Sequence, residues 1–329
     1  MFIINNNNQY KGVINMNNFK KIGLTALAAS LVSVSANAAD LSVTGGASIG
    51  FTGEEKVNTG NGFSMNDGIT FGASNELDNG WNVSLSFVMD SSDGAAGAIL
   101  DTRILTIDMG DSGTLKFSGT GGSSVLNAID DVTPTAYEES WDVVSSASAI
   151  PGGVGGDNMF HYSNSSLMDG VELSAAFVPS NLGTVIESSS DFGVAYTGID
   201  GLTIGAATGE NNAAAASLDI TNMYVKYAAD AFTVGYQASE SDSETANADK
   251  DFTAIGISYA VSEELSVSVN TSTIDYENSA LSDQDATGVS MSYVMGSMTL
   301  KAAHNTVDNI AGASAADRSA YDISLAFAF

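Results

Sequence analysis

Residues 319–329 read SAYDISLAFAF. Tyr321, Ile323, Leu325, Phe327 and Phe329 are apolar and take every odd position. Successive side chains of a strand point to opposite faces, so these five share one face of a β-strand. Chain ends fray unless something ties them down. A strand this apolar at a chain end needs one covered face and paired edges, and the rest of the sequence must supply both.

The same alternation recurs upstream. Leu41, Val43, Ala47, Ile49 and Phe51 show it, as do Trp81, Val83, Leu85, Phe87 and Met89, and Val171, Leu173, Ala175 and Phe177. Leu265, Val267 and Val269 follow, then Val289, Met291 and Tyr293. The intervening residues are mostly Ser, Thr, Asn and Gly. Sixteen strands are expected, near 40–51, 68–76, 81–90, 101–109, 114–119, 158–163, 171–178, 190–198, 202–209, 219–228, 232–239, 251–260, 265–272, 286–294, 298–305 and 318–329. Seven connectors are short, near 76–80, 110–113, 164–170, 199–201, 229–231, 261–264 and 295–297, with Gly-containing turn chemistry in most. Eight longer polar loops alternate with them. A β-sandwich has no reason to sort its loops by end, whereas an outer-membrane barrel has short turns on one side and long loops on the other. Tyr196, Tyr227, Tyr259 and Tyr293 precede short turns, and Phe192 and Phe252 lie toward the opposite strand ends. Rings at matched depths suit the two membrane interfaces. Closing the barrel pairs the last strand with the first and leaves its odd-numbered face to lipid.

Composition agrees. Of 329 residues, 39 are Asp or Glu and 10 are Lys or Arg, a net charge of -29. Nucleic acid is excluded as a partner, since phosphate binding needs clustered cations. No cysteine is present, which removes disulfides and thiolate metal sites. Lys20 and Lys21, the apolar run IGLTALAASLVSV at 22–34 and the small-x-small triplet Ala36-Asn37-Ala38 form a secretory signal, too short to span a bilayer. Cleavage is expected between Ala38 and Ala39, so that 1–38 is prefix plus signal and 39–329 is one barrel domain. Met16 is the more natural start than Met1. Lys11, Lys20 and Lys21 leave with that segment and no acid does, so the charge deepens by three.

With SANA closing the signal, ADLSVTGGASIGF opening the mature chain, sixteen strands, a long third loop and YDISLAFAF at the end, the sequence resembles a Gram-negative general diffusion porin. The resemblance spans essentially the whole mature chain and rests on the joint pattern. It implies a 16-stranded antiparallel transmembrane β-barrel in the outer membrane, a homotrimer, and a third loop folded inward to narrow a water-filled pore. It also implies contact with lipid and lipopolysaccharide, passage of small hydrophilic solutes, and a terminal aromatic strand (Tyr321, Phe327, Phe329) read by the outer-membrane assembly machinery.

The third loop is expected over 119–157. It carries Asp130, Asp131, Glu138, Glu139, Asp142 and Asp157 and no Lys or Arg. In the family such acids face basic residues on the barrel wall. Parity places Lys116, Lys226 and Lys301 inward, because Leu115, Phe117, Val225, Tyr227, Leu300 and Ala302 take the lipid face. Charge on that face costs ~2–4 kcal/mol at mid-depth. Arg103 is the fourth basic wall candidate; it shares parity with Leu105 and Ile107 but lies near the outer rim, so parity leaves its direction open. The chain departs from the family here: its only arginines are Arg103 and Arg318. An acid-rich lumen concentrates cations as carboxylate rings do, and a cation-preferring diffusion channel is the expected function.

Other motifs carry less. Gly152–Phe160 fits a calcium nonapeptide, but that motif works by stacking several copies and one is present. GTGGSS at 119–124 lacks the P-loop lysine. His161 and His304 are far apart in sequence and form no metal motif. No enzyme signature and no cofactor is found, although Glu54-Glu55 and Glu240, Asp242 and Glu244 offer oxygen ligands for weak Ca²⁺ binding. A secreted all-β surface-layer or adhesin protein, or a substrate-selective barrel, would share parts of this pattern. The first of these needs neither the lipid face nor the sorted loops.

Overall fold

The computed structural model describes residues 40–57, 62–90, 100–147, 152–180, 187–212 and 216–329. The signal and its cleavage point lie outside them. Sixteen strands follow in chain order: β1 (Asp40–Glu54), β2 (Phe63–Glu76), β3 (Asn82–Asp90), β4 (Leu100–Asp108), β5 (Thr114–Thr120), β6 (Met159–Met168), β7 (Val171–Val178) and β8 (Ser189–Ile199). Then come β9 (Leu202–Asn211), β10 (Leu218–Ala229), β11 (Phe232–Ser243), β12 (Lys250–Ala260), β13 (Leu265–Tyr276), β14 (Gln284–Met295), β15 (Met298–Asp308) and β16 (Arg318–Ala328). Each pairs antiparallel with its sequence neighbours and β1 pairs with β16, so the sheet closes.

A strand stands at every position where alternation placed one. The ends differ most at β2, which begins at Phe63, and at β6, which runs to Met168. In β6 a register shift between Asn164 and Met168 breaks the period-2 pattern, so two apolar neighbours, Leu167 and Met168, are both exposed. A bulge hides a strand end from any reading based on strict alternation.

The closing strand answers to its sequence. Tyr321, Ile323 and Phe327 are exposed on the outer face, while Ala320 and Ser324 are buried on the inner one. Phe329 lies one residue past β16, yet its N–H donates to Gly45 O and its carbonyl accepts from Gly45 N–H, both at 2.9 Å. The chain end is thus tied into the first strand.

Outward residues form an apolar band all round, among them Ile49, Leu85, Leu105, Phe177, Val194, Met223, Ile257 and Val289. Near the short turns Tyr227, Phe232, Tyr259 and Tyr293 face outward, and Phe232 stacks on Tyr259 with centroids 4.5 Å apart. Phe252 departs from the expected girdle. It faces inward, 1% exposed, with Trp141 edge-on to it at 5.2 Å. At the long-loop end the outward residues turn acidic: Glu210, Asp219 and Asp242 are register neighbours, as are Glu240, Asp251 and Asp275. Carboxylates cannot face hydrocarbon cheaply, so these rows mark where the apolar band ends.

Candidate functional site: the loop-lined constriction

Between β5 and β6 the chain leaves the wall at 121 and returns at 158, close to the expected 119–157. Gly122 N–H donates to Gly156 O across the base of this loop, and Gly121 N–H to Asp157 Oδ1 at 3.0 Å. The loop then runs round the inside of the barrel. Leu126 N–H donates to Asp191 on β8, and Asn222 on β10 and Gln237 on β11 donate to the carbonyls of Ile129 and Asp130. Thr135, Ala136 and Tyr137 bond the hydroxyls of Ser268 on β13 and Ser290 on β14. Asn305 on β15 donates to Glu139 O. Ser145 Oγ meets Arg318 on β16 at 3.0 Å, and Arg318 pairs with Glu54 of β1 at 2.5 Å.

Packing explains why the loop stays there. Val125 and Leu126 bury against Met159, Ala176, Ala207 and Ile220. Trp141 and Val144 bury against Phe252, Ile274, Ala286 and Val307. Inward glycines mark its track. A Cβ on Gly193 would lie 2.5 Å from Val125, on Gly256 2.7 Å from Pro134 O, and on Gly288 2.9 Å from Ser140 Cα. The backbone of the loop approaches the wall only because those side chains are missing.

The loop brings the expected acids together. One carboxylate oxygen from each of Glu138, Glu139 and Asp142 lies within 4.8 Å of the others. Asp130 and Asp131 adjoin them, since Asp142 acts on Asp130 and Asp131 on Glu139. Burial, then the neighbouring Asp131, pushes Asp130 up to about 7. Burial, then the hydrogen bond and charge of Asp142, pushes Glu139 up to about 9. Burial also raises Glu138. Carboxylates packed this closely share fewer charges than their number at neutral pH. Three oxygens at such spacing suit transient contact with a hard cation.

The basic residues are more dispersed. Lys116, Lys226 and Lys301 all take the inward parity expected of them. Lys301 lies over the Tyr137 ring at 5.0 Å, and its charge acts on Glu138. Lys116 pairs across strands with His161, away from the acid patch. Arg103 is not a pore-wall residue. It is exposed on the outer face, opposite Phe87, and its Nε would lie 2.7 Å from a Cβ on Gly119. Alternation continues from Leu105, so Ile104, not Arg103, faces the lumen.

Three contributors were not foreseen. Asp322, inward on β16, accepts from Tyr137 O–H at 3.0 Å and acts on Glu138. Even parity in the terminal strand was the available signal. Arg318 holds the far end of the loop. Across the lumen, the inward positions of β1–β4 between their end residues carry no charge: Ser42, Thr44, Ser48, Asn66, Thr70, Ser84, Ser86 and Thr106 set their character. The constriction therefore has an acidic loop on one side and a neutral hydroxyl wall on the other.

A family described as Gram-negative porin matches residues 23–282. The chain belongs to the Gram-negative porins. Among solved structures it resembles the anion-selective porin from Comamonas acidovorans, at 11% identity and TM-score 0.68 over 88% of this chain and 100% of that one. It also resembles a variant of the Rh. blastica porin, at 16% identity and TM-score 0.65 over 88% of this chain and 100% of that one. Vibrio cholerae OmpT aligns at 11% identity and TM-score 0.66 over 90% and 99% of the two chains. No curated protein sequence matches. These identities carry the fold alone. As a porin, the protein sits in the outer membrane and passes solutes by passive diffusion, with the third loop as the structure that narrows its path.

Proposed function

We propose that this porin prefers cations. The observation that carries the reading is the asymmetry of the constriction, in which Asp130, Asp131, Glu138, Glu139 and Asp142 face a wall without charge. Rings of carboxylates draw cations and repel anions, and here no cluster of inward arginines offsets them. Small hydrophilic solutes and ions move down their gradients, and neither cofactor nor energy source is required. The likeness to an anion-selective porin, at 11% identity, argues for the shared barrel and not for its selectivity.

The assembly we propose is a homotrimer, the form in which a structure of Vibrio cholerae OmpT is described. The outer face of β1–β4 offers small residues, Gly45 and Ala47, beside Asp67 and Arg103, charges better covered by protein than by lipid. Lipopolysaccharide is the fitting neighbour of the acidic outer rim of β9–β13. Tyr321, Phe327 and Phe329 suit recognition by the assembly machinery. Signal cleavage after Ala38 makes Asp40, the first residue of β1, the second residue of the mature chain.

The test is reversal potential in a planar bilayer under a salt gradient. The native protein is expected to give stepwise conductance and a cation-favouring potential. A unit charge at 4 Å in water is worth about 1 kcal/mol. Changing all five acids to their amides should therefore reduce the cation-to-anion permeability ratio by at least about fivefold. An anion-favouring potential from the native protein would overturn the reading.

A further inference from the structure

Below the first half of the third loop, the inner wall of β5–β10 forms a recess of about 570 Å³. Its lining includes Lys116, His161, Glu172 and Tyr224, with Val125 and Ile129 of the loop as its roof. Two of these side chains are oppositely charged, yet no ion pair joins them. Lys116 stands opposite His161, which in turn stands opposite Ala176 on β7. Glu172 lies four residues farther along β7. With strands about 4.8 Å apart and about 3.3 Å per residue, the Lys116 and Glu172 backbones are about 16 Å apart. Strand side chains stand roughly perpendicular to the sheet, so the charged ends stay roughly 12–13 Å apart, and a hydrogen bond of about 2.8 Å at each end leaves about 7 Å for a ligand.

On the far side of Glu172 from Lys116 the floor is bare. Glu172 pairs with Ala195, Ala195 with Gly205 and Gly205 with Tyr224. The Tyr224 ring folds over Gly205 into the space a side chain there would fill. Ser163 and Ser174, opposite one another, add hydroxyls. His161 contributes a buried Nδ1 with no partner in the protein.

We propose that this recess is a binding subsite for a small dipolar solute of the short-peptide class, with its carboxylate toward Lys116 and its ammonium toward Glu172. A dipeptide spans about 7 Å between its ends, which fits the gap better than a single amino acid does. The body of the solute lies over Ser163 and Ser174, with His161 Nδ1 as a further polar contact, and the Tyr224 ring over Gly205 closes the recess beyond Glu172. A general diffusion pore needs no such site; one here slows and concentrates dipolar solutes just past the constriction. The inference rests on the channel reading of the preceding subsection.

Ion current through the folded, reconstituted protein tests it. Glycylglycine is titrated against acetate, ethylammonium and the uncharged triethylene glycol. The expected result is a partial block that saturates with glycylglycine and not with the other three. Lys116→Met and Glu172→Gln should each raise the half-blocking concentration at least about tenfold. Equal, non-saturating effects of all four solutes would overturn the subsite while leaving the channel intact. So would a block by acetate as strong as that by glycylglycine, lost only in Lys116→Met, which would mark a plain anion site. The four-solute comparison uses native protein alone, so it decides the matter even where a variant fails to fold. An absence of conductance from folded, inserted protein would overturn the channel reading itself.

Discussion

From β8 to β16 the inner wall is covered by the third loop; from β1 to β4 it is bare. On the covered side, Ser268, Ser290, Gln237 and Asn305 are used up in holding loop backbone. On the bare side, hydroxyls of the same chemical kind face the water column. The same polar palette therefore serves two ends. The covered side also offers the loop a close approach: Gly193, Gly235, Gly256 and Gly288 open a track on β8, β11, β12 and β14. Charge selectivity then belongs to the loop and solvation to the bare wall. Neither side has the arginine ladder that would make a transverse field.

The sharpest way to break this comparison is to detach the loop. Trp141 is 6% exposed and packs edge-on against Phe252, in a cluster that spans β12 to β16. Replacing a buried Trp by Ala costs about 3–5 kcal/mol. Trp141→Ala should leave the barrel closed, because the strand ladder does not depend on it. It should release the far half of the loop, visible as new protease cleavage between 121 and 158 and as noisier conductance. An unchanged cleavage pattern would mean that the hydrogen bonds to β13–β15 hold the loop by themselves.

A smaller effect is expected from pH. Asp130 is raised to about 7 and Glu139 to about 9, both chiefly by burial. A carboxyl whose folded pKa is raised stabilises the seated loop below its unfolded value, near 4, and loses that contribution as pH rises through the folded value. Charge moves the opposite way, since each group becomes anionic over the same window. Cation preference should therefore climb between about pH 6 and pH 10 while the loop becomes easier to displace. Glu139→Gln should remove the upper part of that climb and leave the part near 7. A reversal potential flat over this range would place selectivity outside the acid patch.

The barrel was legible in the sequence because each strand touches lipid on one side and water on the other. That contrast forces period-2 alternation, and SAYDISLAFAF shows it without interruption. The acids of the loop were legible because 119–157 is far longer than the neighbouring connectors and carries six acids. Legibility failed where the contrast vanishes. Arg103 keeps the outward parity of Leu105, and only its place near the rim and a register shift kept its direction open. Phe252 reads as an interfacial ring until Trp141, 111 positions earlier in the chain, is seen to cover it. Asp322 sits in the most transparent strand of all, but its role depends on Tyr137 arriving from the loop. Contacts between a loop and a wall have no period, and only the glycine track left a trace of them.

The bare wall yields the smallest effect, and that smallness is informative. Thr70 lies on β2 between Thr44 on β1 and Val88 on β3, facing the lumen. Thr70→Val keeps the shape, removes one hydroxyl and changes no charge. If the loop alone sets selectivity, the reversal potential should not move, and single-channel conductance should fall only slightly through lost solvation. Thr70→Arg places a cation across from the acid patch and supplies the missing half of a transverse field. It should lower the cation-to-anion ratio, though by less than neutralising the five acids, because one exposed charge is screened within about 8 Å at physiological salt. A large shift in Thr70→Val would mean that the hydroxyls themselves order the permeating ions, and the division of labour between the two walls would have to be redrawn.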